Sequence, residues 1–505
     1  MGGEGQRMGR DNTSSKATMS KLIRGSIWLY TTSIANNLLG FIYWFTLSRL
    51  ANPDLIGYVS SVLGLSGIVV GLASLGVDVG IRKKVAECVG VGEKRRASTY
   101  FTSALIFWLT IYTILAATLV LSANTLALLT GFEPAQIVVA SIFVFLGFTQ
   151  LFSALLTALL RTDLLLLGSL IGNVAKLVVG VGSILLGFGW VGAALAYTCT
   201  SFAILAICAA YVRKTIGFHP AFKLDYVSQL IRIGFTSWAP ATIMVLGQWL
   251  GVLMVFGTSS AFEAGKYYIS LTIVGFLTGF GTSIATLLLP AVSMDSRLKE
   301  VSTTALKIAS LIVTPPVVFS IFYAEHILSL LNPAYTAAEN TFRVLALSWI
   351  PAILNAGIAS MLYVENAYTQ VLLLGVAQSI PRITLYLALT PLLGDFGTAI
   401  AYTVGSYTGL AYTIHAARRR KIDLKVGAVL AATAIATLVV APVQLLNIPP
   451  FPALLLTLTS YPIYTRLKLV QRAEVRLILE SIVGRNLVAQ IYSKLKPVVD
   501  VMVPE

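Results

Sequence analysis

Gly189-Trp190-Val191-Gly192-Ala193-Ala194-Leu195-Ala196-Tyr197-Thr198 and Gly394-Asp395-Phe396-Gly397-Thr398-Ala399-Ile400-Ala401-Tyr402-Thr403 spell the same word, G-x-x-G-x-A-x-A-Y-T, 205 residues apart. Each copy closes a block of apolar segments. Each block also opens on related residues, Leu22-Ile23-Arg24 with Gly25 and Leu230-Ile231-Arg232 with Gly234. The chain is therefore duplicated, and duplicated helical blocks inside a membrane are how transporters are commonly built.

The membrane reading comes from composition. A chain that is 57% hydrophobic and 11% charged, with a mean hydropathy of +0.84, cannot hide its apolar surface in one water-soluble core. Crossing about 30 Å of hydrocarbon takes about 20 apolar residues, and about fourteen such runs recur along the sequence. The first seven are Ser26 to Leu50, Leu55 to Ile81, Ser98 to Leu121, Pro134 to Leu160, Leu164 to Leu186, Trp190 to Val212 and Ile233 to Phe256. The second seven are Phe262 to Leu289, Thr304 to Tyr323, Thr341 to Val364, Gln370 to Leu389, Gly397 to His415, Val426 to Leu446 and Pro449 to Tyr464. Pro240 in the seventh run is a candidate kink, which packed membrane helices tolerate.

The expected fold is an all-α polytopic membrane protein of about 14 transmembrane helices. Its segments read as an arm over 1–20, a first bundle over 21–213, a linker over 214–229, a second bundle over 230–417, an extra helix pair over 418–464 and a tail over 465–505. The polar arm reads as disordered, with no cleavable signal peptide evident in it. The tail spaces Val475, Ile478, Leu479, Ile482 and Val483 as one helix face, with Arg472, Arg476, Glu480 and Arg485 on the other, which predicts a basic amphipathic helix on the inner leaflet.

Cations resist translocation, so their loops mark the cytoplasmic side. Alternate loops hold Arg82, Lys83, Lys84, Lys94, Arg95 and Arg96, then Arg161, then Arg213, Lys214 and Lys223, then Arg297 and Lys299, then Arg418, Arg419, Arg420, Lys421 and Lys425. The intervening loops Ser122 to Glu133 and Glu325 to Asn340 contain no Lys or Arg. The sequence thus predicts a cytoplasmic-membrane protein with both termini cytoplasmic and an even number of crossings. The same sorting accounts for the net charge of +15 and removes the reason to expect nucleic acid. Arg418 to Lys421 reads as a topology anchor, with lipid-headgroup contact as the lesser alternative.

No enzyme chemistry is predicted, and no cofactor or metal. Cys88, Cys199 and Cys208 lack ligand spacing, His219, His326 and His415 are scattered, and there is no Walker-type glycine loop. Nor is there a sizeable extramembrane platform to carry catalytic groups.

Ionisable groups deep in a span are functional candidates, because one at mid-bilayer costs at least about 2.5–3.5 kcal/mol on insertion scales. Lys176 lies centrally in the fifth run, and Arg382 takes nearly the equivalent place in the eleventh. No Asp or Glu is expected at comparable depth; Asp78 is the nearest, and with Arg82 at i+4 it reads as a cytoplasmic-end ion pair or gate. Unpaired cations could meet a phosphate. Asn36 and Asn37 in the first run, and Gln248 and Trp249 in the seventh, offer amides and an aromatic face to sugar. The plainer readings are interhelical bonding for the asparagines, backbone-carbonyl partners for the cations and an interfacial belt for Trp249 and Trp44. Lys266 and Arg343 read as outer-end residues that snorkel.

The order of words also resembles a known family. Gly40-Phe41-Ile42 through Leu47-Ser48-Arg49-Leu50-Ala51-Asn52-Pro53, Ile56-Gly57-Tyr58, Ser74-Leu75-Gly76-Val77-Asp78 and Arg82-Lys83-Lys84-Val85-Ala86-Glu87 look like the opening of Wzx-type polysaccharide-biosynthesis flippases. Leu160-Arg161-Thr162-Asp163, Gly172-Asn173-Val174-Ala175-Lys176-Leu177 and both repeats extend the likeness to about Tyr464. The resemblance implies a member of the multidrug/oligosaccharidyl-lipid/polysaccharide (MOP) exporter superfamily. Such a protein has two pseudo-symmetric six-helix bundles forming a V around a central cavity, helices one, two, seven and eight lining its portals, and alternating access. The extra pair Val426 to Tyr464 favours the lipid-linked sugar branch over drug extruders. The implied activity is translocation of a lipid-linked oligosaccharide by a monomer, with membrane lipids and glycan-assembly enzymes as partners. The competing readings are a cation-coupled extruder of small amphiphiles, for which a carboxylate deep in the first helix is expected and absent, and a non-transporting scaffold.

Overall fold

Ten of the described helices are long and apolar enough to cross a membrane, eleven if a bent pair is taken as one span. The computed structural model describes Trp28, residues 31–215, 220–287 and 298–471, and Glu474. Among these residues there is no strand. The amino-terminal arm, the opening word Leu22-Ile23-Arg24, His219, Arg297 and the amphipathic tail lie outside the described residues.

The helices are α1 (31–50), α2 (Pro53–Ala73), α3 (Val77–Gly90), α4 (Lys94–Leu121), α5 (Ala123–Thr130), α6 (Pro134–Ala158), α7 (Thr162–Leu185), α8 (Gly189–Thr215) and α9 (Leu224–Thr258). They continue with α10 (Ala261–Leu287), α11 (Leu298–Phe322), α12 (Ala324–Ser329), α13 (Pro333–Ala346), α14 (Trp349–Val364), α15 (Tyr368–Arg419), α16 (Val426–Leu445), α17 (Pro450–Leu458) and α18 (Ser460–Arg466). The expected fourteen runs are not matched one for one, for local reasons. The first begins outside the described residues. The tenth is α13 and α14, bent by 44°. The eleventh and twelfth are the two arms of α15, which break at non-helical Gly394 between them, and the fourteenth is split into α17 and α18 at Thr459.

Many hydroxyls in these apolar helices bond back to their own helix. Thr110, Thr118, Ser270, Thr278, Ser310, Thr314 and Thr433 each donate to the carbonyl four residues earlier at 2.8 to 3.0 Å. A hydroxyl satisfied within its own turn can enter hydrocarbon without a partner on another helix.

The contacts divide the chain into two compact units. The first takes the described residues up to Tyr43 together with Ser61–Val245. Its core gathers Val77, Ile81, Tyr100, Trp108, Leu151 and Cys208 from α3, α4, α6 and α8. The start of α6 is fixed by a capping box: Gln136 at N3 accepts from the Glu133 amide at 2.8 Å, and its Nε2 donates to Ser61 Oγ at 2.9 Å. Gly147, in a 3-10 turn within α6, lets Tyr112 pack against the backbone; a Cβ there would lie 2.6 Å from the phenol oxygen.

The second unit takes Trp44–Ser60 and the described residues from Leu246 onward. Here α10 and α16 both pack on α11, and α14 packs on α15. The helix pair at the carboxyl end is joined to this unit through Val318 and Phe319 of α11 and Tyr323 just after it, against Ala436 and Val440 of α16 and Ala453 of α17. The Tyr464 hydroxyl donates to the Ala432 carbonyl at 2.9 Å.

Candidate functional site: a caged cation in each half

The duplicated word closes a helical hairpin in both units. Its first glycine sits in the left-handed region, Gly189 at φ 59° and Gly394 at φ 57°, a conformation that costs an L-residue about 1–2 kcal/mol. The chain turns there and the returning helix runs back along the one before it. The second glycine keeps the two together: a Cβ on Gly192 would lie 2.5 Å from Ser183 Cβ, and one on Gly397 would lie 2.4 Å from the Leu389 carbonyl oxygen. The tyrosine next to last in the word then sits about 12 Å down the returning helix, at about 1.5 Å per residue, within reach of the preceding one.

What it meets there is the deep cation. In the first unit Lys176 Nζ lies 4.7 Å from the Tyr197 ring centroid and 5.0 Å from that of Tyr43 on α1. The two rings meet edge to face at 5.4 Å, and the Tyr43 hydroxyl donates to the Ala193 carbonyl at 2.6 Å. In the second unit Arg382 Cζ stands 4.0 Å over the Tyr402 ring, and Nη2 donates to Ser406 Oγ at 2.8 Å. Lys176 is 5% exposed and Arg382 2%. Neither belongs to any described ion pair, and Arg382 Nε has no hydrogen-bond partner among the described residues. The sequence alternatives for these cations were a phosphate or backbone carbonyls; the partners the structure records are tyrosine faces and a serine hydroxyl.

Taking a cation out of water costs several kcal/mol after relaxation. A desolvated cation–π contact returns about 2 kcal/mol, so the rings offset only part of that cost. Each cage therefore leaves part of the cost of burying its cation unmet.

The cages are completed by an exchange of size. In the first unit the tyrosine is on the bundle's first helix and the glycine on its fifth: a Cβ on Gly180 would lie 2.6 Å from the Tyr43 ring. In the second unit the positions are reversed, Gly251 on α9 accommodating Tyr386 on α15, where a Cβ would lie 2.8 Å from Cζ. The Tyr386 hydroxyl donates to the Gly247 carbonyl at 3.1 Å. Gly251 follows Tyr43 by 208 residues and Tyr386 follows Gly180 by 206, matching the spacing of the opening word and of Lys176 to Arg382.

This arrangement can be set beside known proteins. The polysaccharide biosynthesis protein family matches residues 46–334, more than half of the 505-residue chain. The chain belongs to that family. The match takes in Lys176 and Tyr197 and ends before Arg382 and Tyr402. Among solved structures, lipid II flippase MurJ in an inward closed conformation aligns over 87% of this chain and 98% of its own, at 13% identity and a TM-score of 0.72. An inward-facing multidrug resistance MATE family transporter aligns over 79% and 98%, at 16% identity and a TM-score of 0.62. MATE in the straight conformation aligns over 79% and 95%, at 17% identity and a TM-score of 0.53. Comparison with curated proteins returns no match. The protein is thus a multi-pass member of the polysaccharide biosynthesis family with the fold of the MOP exporter superfamily.

The remaining sequence candidates of this family member fall in several places. Asn36 and Asn37 are both exposed on α1, and Asn36 Oδ1 accepts from Asn173 Nδ2 of α7 at 2.9 Å, so Asn36 bonds helices while Asn37 is the more available amide. Gln248 is exposed, and Trp249 stacks on Tyr268 with centroids 6.0 Å apart. Trp44 is 4% exposed and meets Tyr268 edge to face at 4.8 Å, so it is a packing residue and not a belt aromatic. Asp78 and Arg82 form the expected i,i+4 pair at 3.0 Å.

One expectation is corrected, and one buried carboxylate was passed over in the sequence. Asp395, beside Gly394 at the hairpin turn in the second copy of the word, is 6% exposed and accepts from Thr341 Oγ1 at 2.8 Å. Its partner is Lys266, 3.5 Å away and 7% exposed, which is paired and not snorkelling. Glu263 of α10 accepts from the Asp395 amide at 3.1 Å. The signal was in the repeat itself, where Asp395 replaces Trp190.

Proposed function

We propose that the protein is a flippase carrying a lipid-linked oligosaccharide, a sugar on polyprenyl phosphate or pyrophosphate, from the cytoplasmic to the outer leaflet by alternating access, for polysaccharide or glycoprotein assembly. The observation that supports this most is the pair of equivalent cages. Each offers a buried cation that lacks a carboxylate among the described residues, and a phosphate group is the anion such a carrier lipid supplies. Arg382, with a free Nε donor, suits two-pronged contact with phosphate oxygens, and Lys176 acts as a point charge. Asn37 in the first unit and Gln248 in the second each offer an exposed amide of the kind a glycan hydroxyl can bond. The greater share of the chain covered by lipid II flippase MurJ, 87% against 79% for the MATE transporters, also favours this reading. The cation-rich loops are placed on the cytoplasmic side, with both termini, by the positive-inside rule.

The test is a proteoliposome assay in which a labelled lipid-linked oligosaccharide is probed for leaflet exposure. Wild type should move it. Lys176→Ala and Arg382→Ala should each slow transfer by at least about tenfold, the equivalent of about 1.4 kcal/mol, while leaving the protein monodisperse. The likeness to MATE transporters supports a second reading, a cation-coupled extruder of small amphiphiles. Wild-type protein that expels a dye down an ion gradient and leaves the lipid-linked sugar in place would decide for it.

A further inference from the structure

At the junction of α15 and α16 the surface opens into a cavity of about 480 Å³, lined by Arg418, Lys421, Asp423 and the first residues of α16, together with Ile414 and Ile422. Its charges are unbalanced. Arg420 is committed to Glu365 at 2.8 Å. Asp423, the one carboxylate in the lining, is taken by Lys425, whose Nζ lies 2.8 Å from Oδ2 and whose amide donates to Oδ1 at 2.9 Å. Those hydrogen bonds hold the Asp423 carboxyl below its ordinary range. Arg418 and Lys421 have no such partner among the described residues.

A further feature points the same way. The 20-residue helix α16 starts at Val426 without a side-chain cap on its first amides, since its N-cap is Lys425. Uncapped first-turn amides and the helix dipole attract anions. The lining joins the exposed cations Arg418 and Lys421 to the buried apolar side chains Ile422 and Leu424. The positive-inside orientation proposed above sets it at the inner-leaflet headgroup level.

We infer that this cavity is a binding site for the phosphate of an anionic glycerophospholipid of the inner leaflet, held by Arg418, Lys421 and the first amides of α16. The lipid would fasten the α16–α18 segment to α15. This site is separate from the cages and does not depend on what they carry.

Purified full-length protein, loaded with equal phosphatidylglycerol and phosphatidylcholine and analysed by native mass spectrometry, tests the assignment. Wild type should retain phosphatidylglycerol over phosphatidylcholine by at least about fivefold, and the Arg418→Gln/Lys421→Gln pair should erase that preference, as expected from about 1 kcal/mol per basic residue at a membrane surface. Lys214→Gln, an exposed cation in the other unit, should keep it. Because the double variant removes residues that orient the chain, Gly427→Glu provides the second arm. It brings a carboxylate to the cavity at a position with nothing within 4 Å of a new Cβ, and it should also abolish the preference without lowering thermal stability. Equal retention of the two lipids by wild type, or undiminished preference in Gly427→Glu, would overturn the proposal. Displacement of the retained lipid by millimolar inorganic phosphate would overturn it too, by making this a site for the free anion.

Discussion

Tyr197 and Tyr402 do what no feature of their own position in the sequence announces: each places an aromatic face over a cation on the preceding helix. The cations were legible, because an ionisable residue in a hydrophobic run stands out. The rings were not, because a tyrosine near the middle of a span is compatible with lipid, helix contact or cavity, and only the packing angle of the hairpin decides. If the face of the ring is what matters, Tyr402→Phe should leave the apparent unfolding temperature close to wild type. Tyr402→Leu should cost about 2 kcal/mol, the value of a desolvated cation–π contact. Thermal unfolding in detergent checks the order. Asp395 gives a sharper case. Asp395→Asn leaves Lys266 buried and unpaired, which should destabilise by about 3–5 kcal/mol, and replacing both partners by apolar residues, Lys266→Met with Asp395→Leu, should recover most of it. The pairing escaped the sequence reading because its partners are 129 residues apart and each, taken alone, looks like a loop-end charge.

At the level of elements, the repeat was visible as a word before its purpose was. Its first glycine makes the left-handed turn, its second allows the close approach, and its tyrosine sets a ring over the cation. The two copies also carry different loads. A Cβ on Gly394 would lie 2.0 Å from Glu263 Oε2, while one on Gly189 would meet nothing within 4 Å. Gly189→Ala should therefore cost only the conformational term of about 1–2 kcal/mol. Gly394→Ala also pushes aside the Glu263 carboxylate, the movable end of its side chain, and should cost about 1 kcal/mol more through the lost hydrogen bond to the Asp395 amide. Unfolding temperatures of the two variants, measured side by side, decide it. The exchange of Tyr43 with Gly180 for Gly251 with Tyr386 lay in the sequence at the repeat spacing, yet hydropathy is blind to it, since tyrosine and glycine are both ordinary in packed membrane helices.

Over the whole molecule, composition and periodicity were enough to read an all-α polytopic fold, because in hydrocarbon every backbone group must be satisfied within the segment. The number of crossings was less legible. Runs of apolar residues show a turn such as Gly394, which falls between the eleventh and twelfth runs, but not where a helix bends, as between α13 and α14. Topology is therefore the property to test at this scale. The loop Ser122 to Glu133 has no Lys or Arg, whereas Arg418 to Lys425 holds five. A single cysteine placed at Thr130, which is exposed, should react with a membrane-impermeant maleimide in intact cells. One at Lys425, also exposed, should react only after the membrane is opened. The background is small, because Cys88 and Cys208 are buried and Cys199 is half-buried. The reverse labelling pattern would turn the chain over, moving the α15–α16 cavity to the outer leaflet and the proposed direction of transport with it.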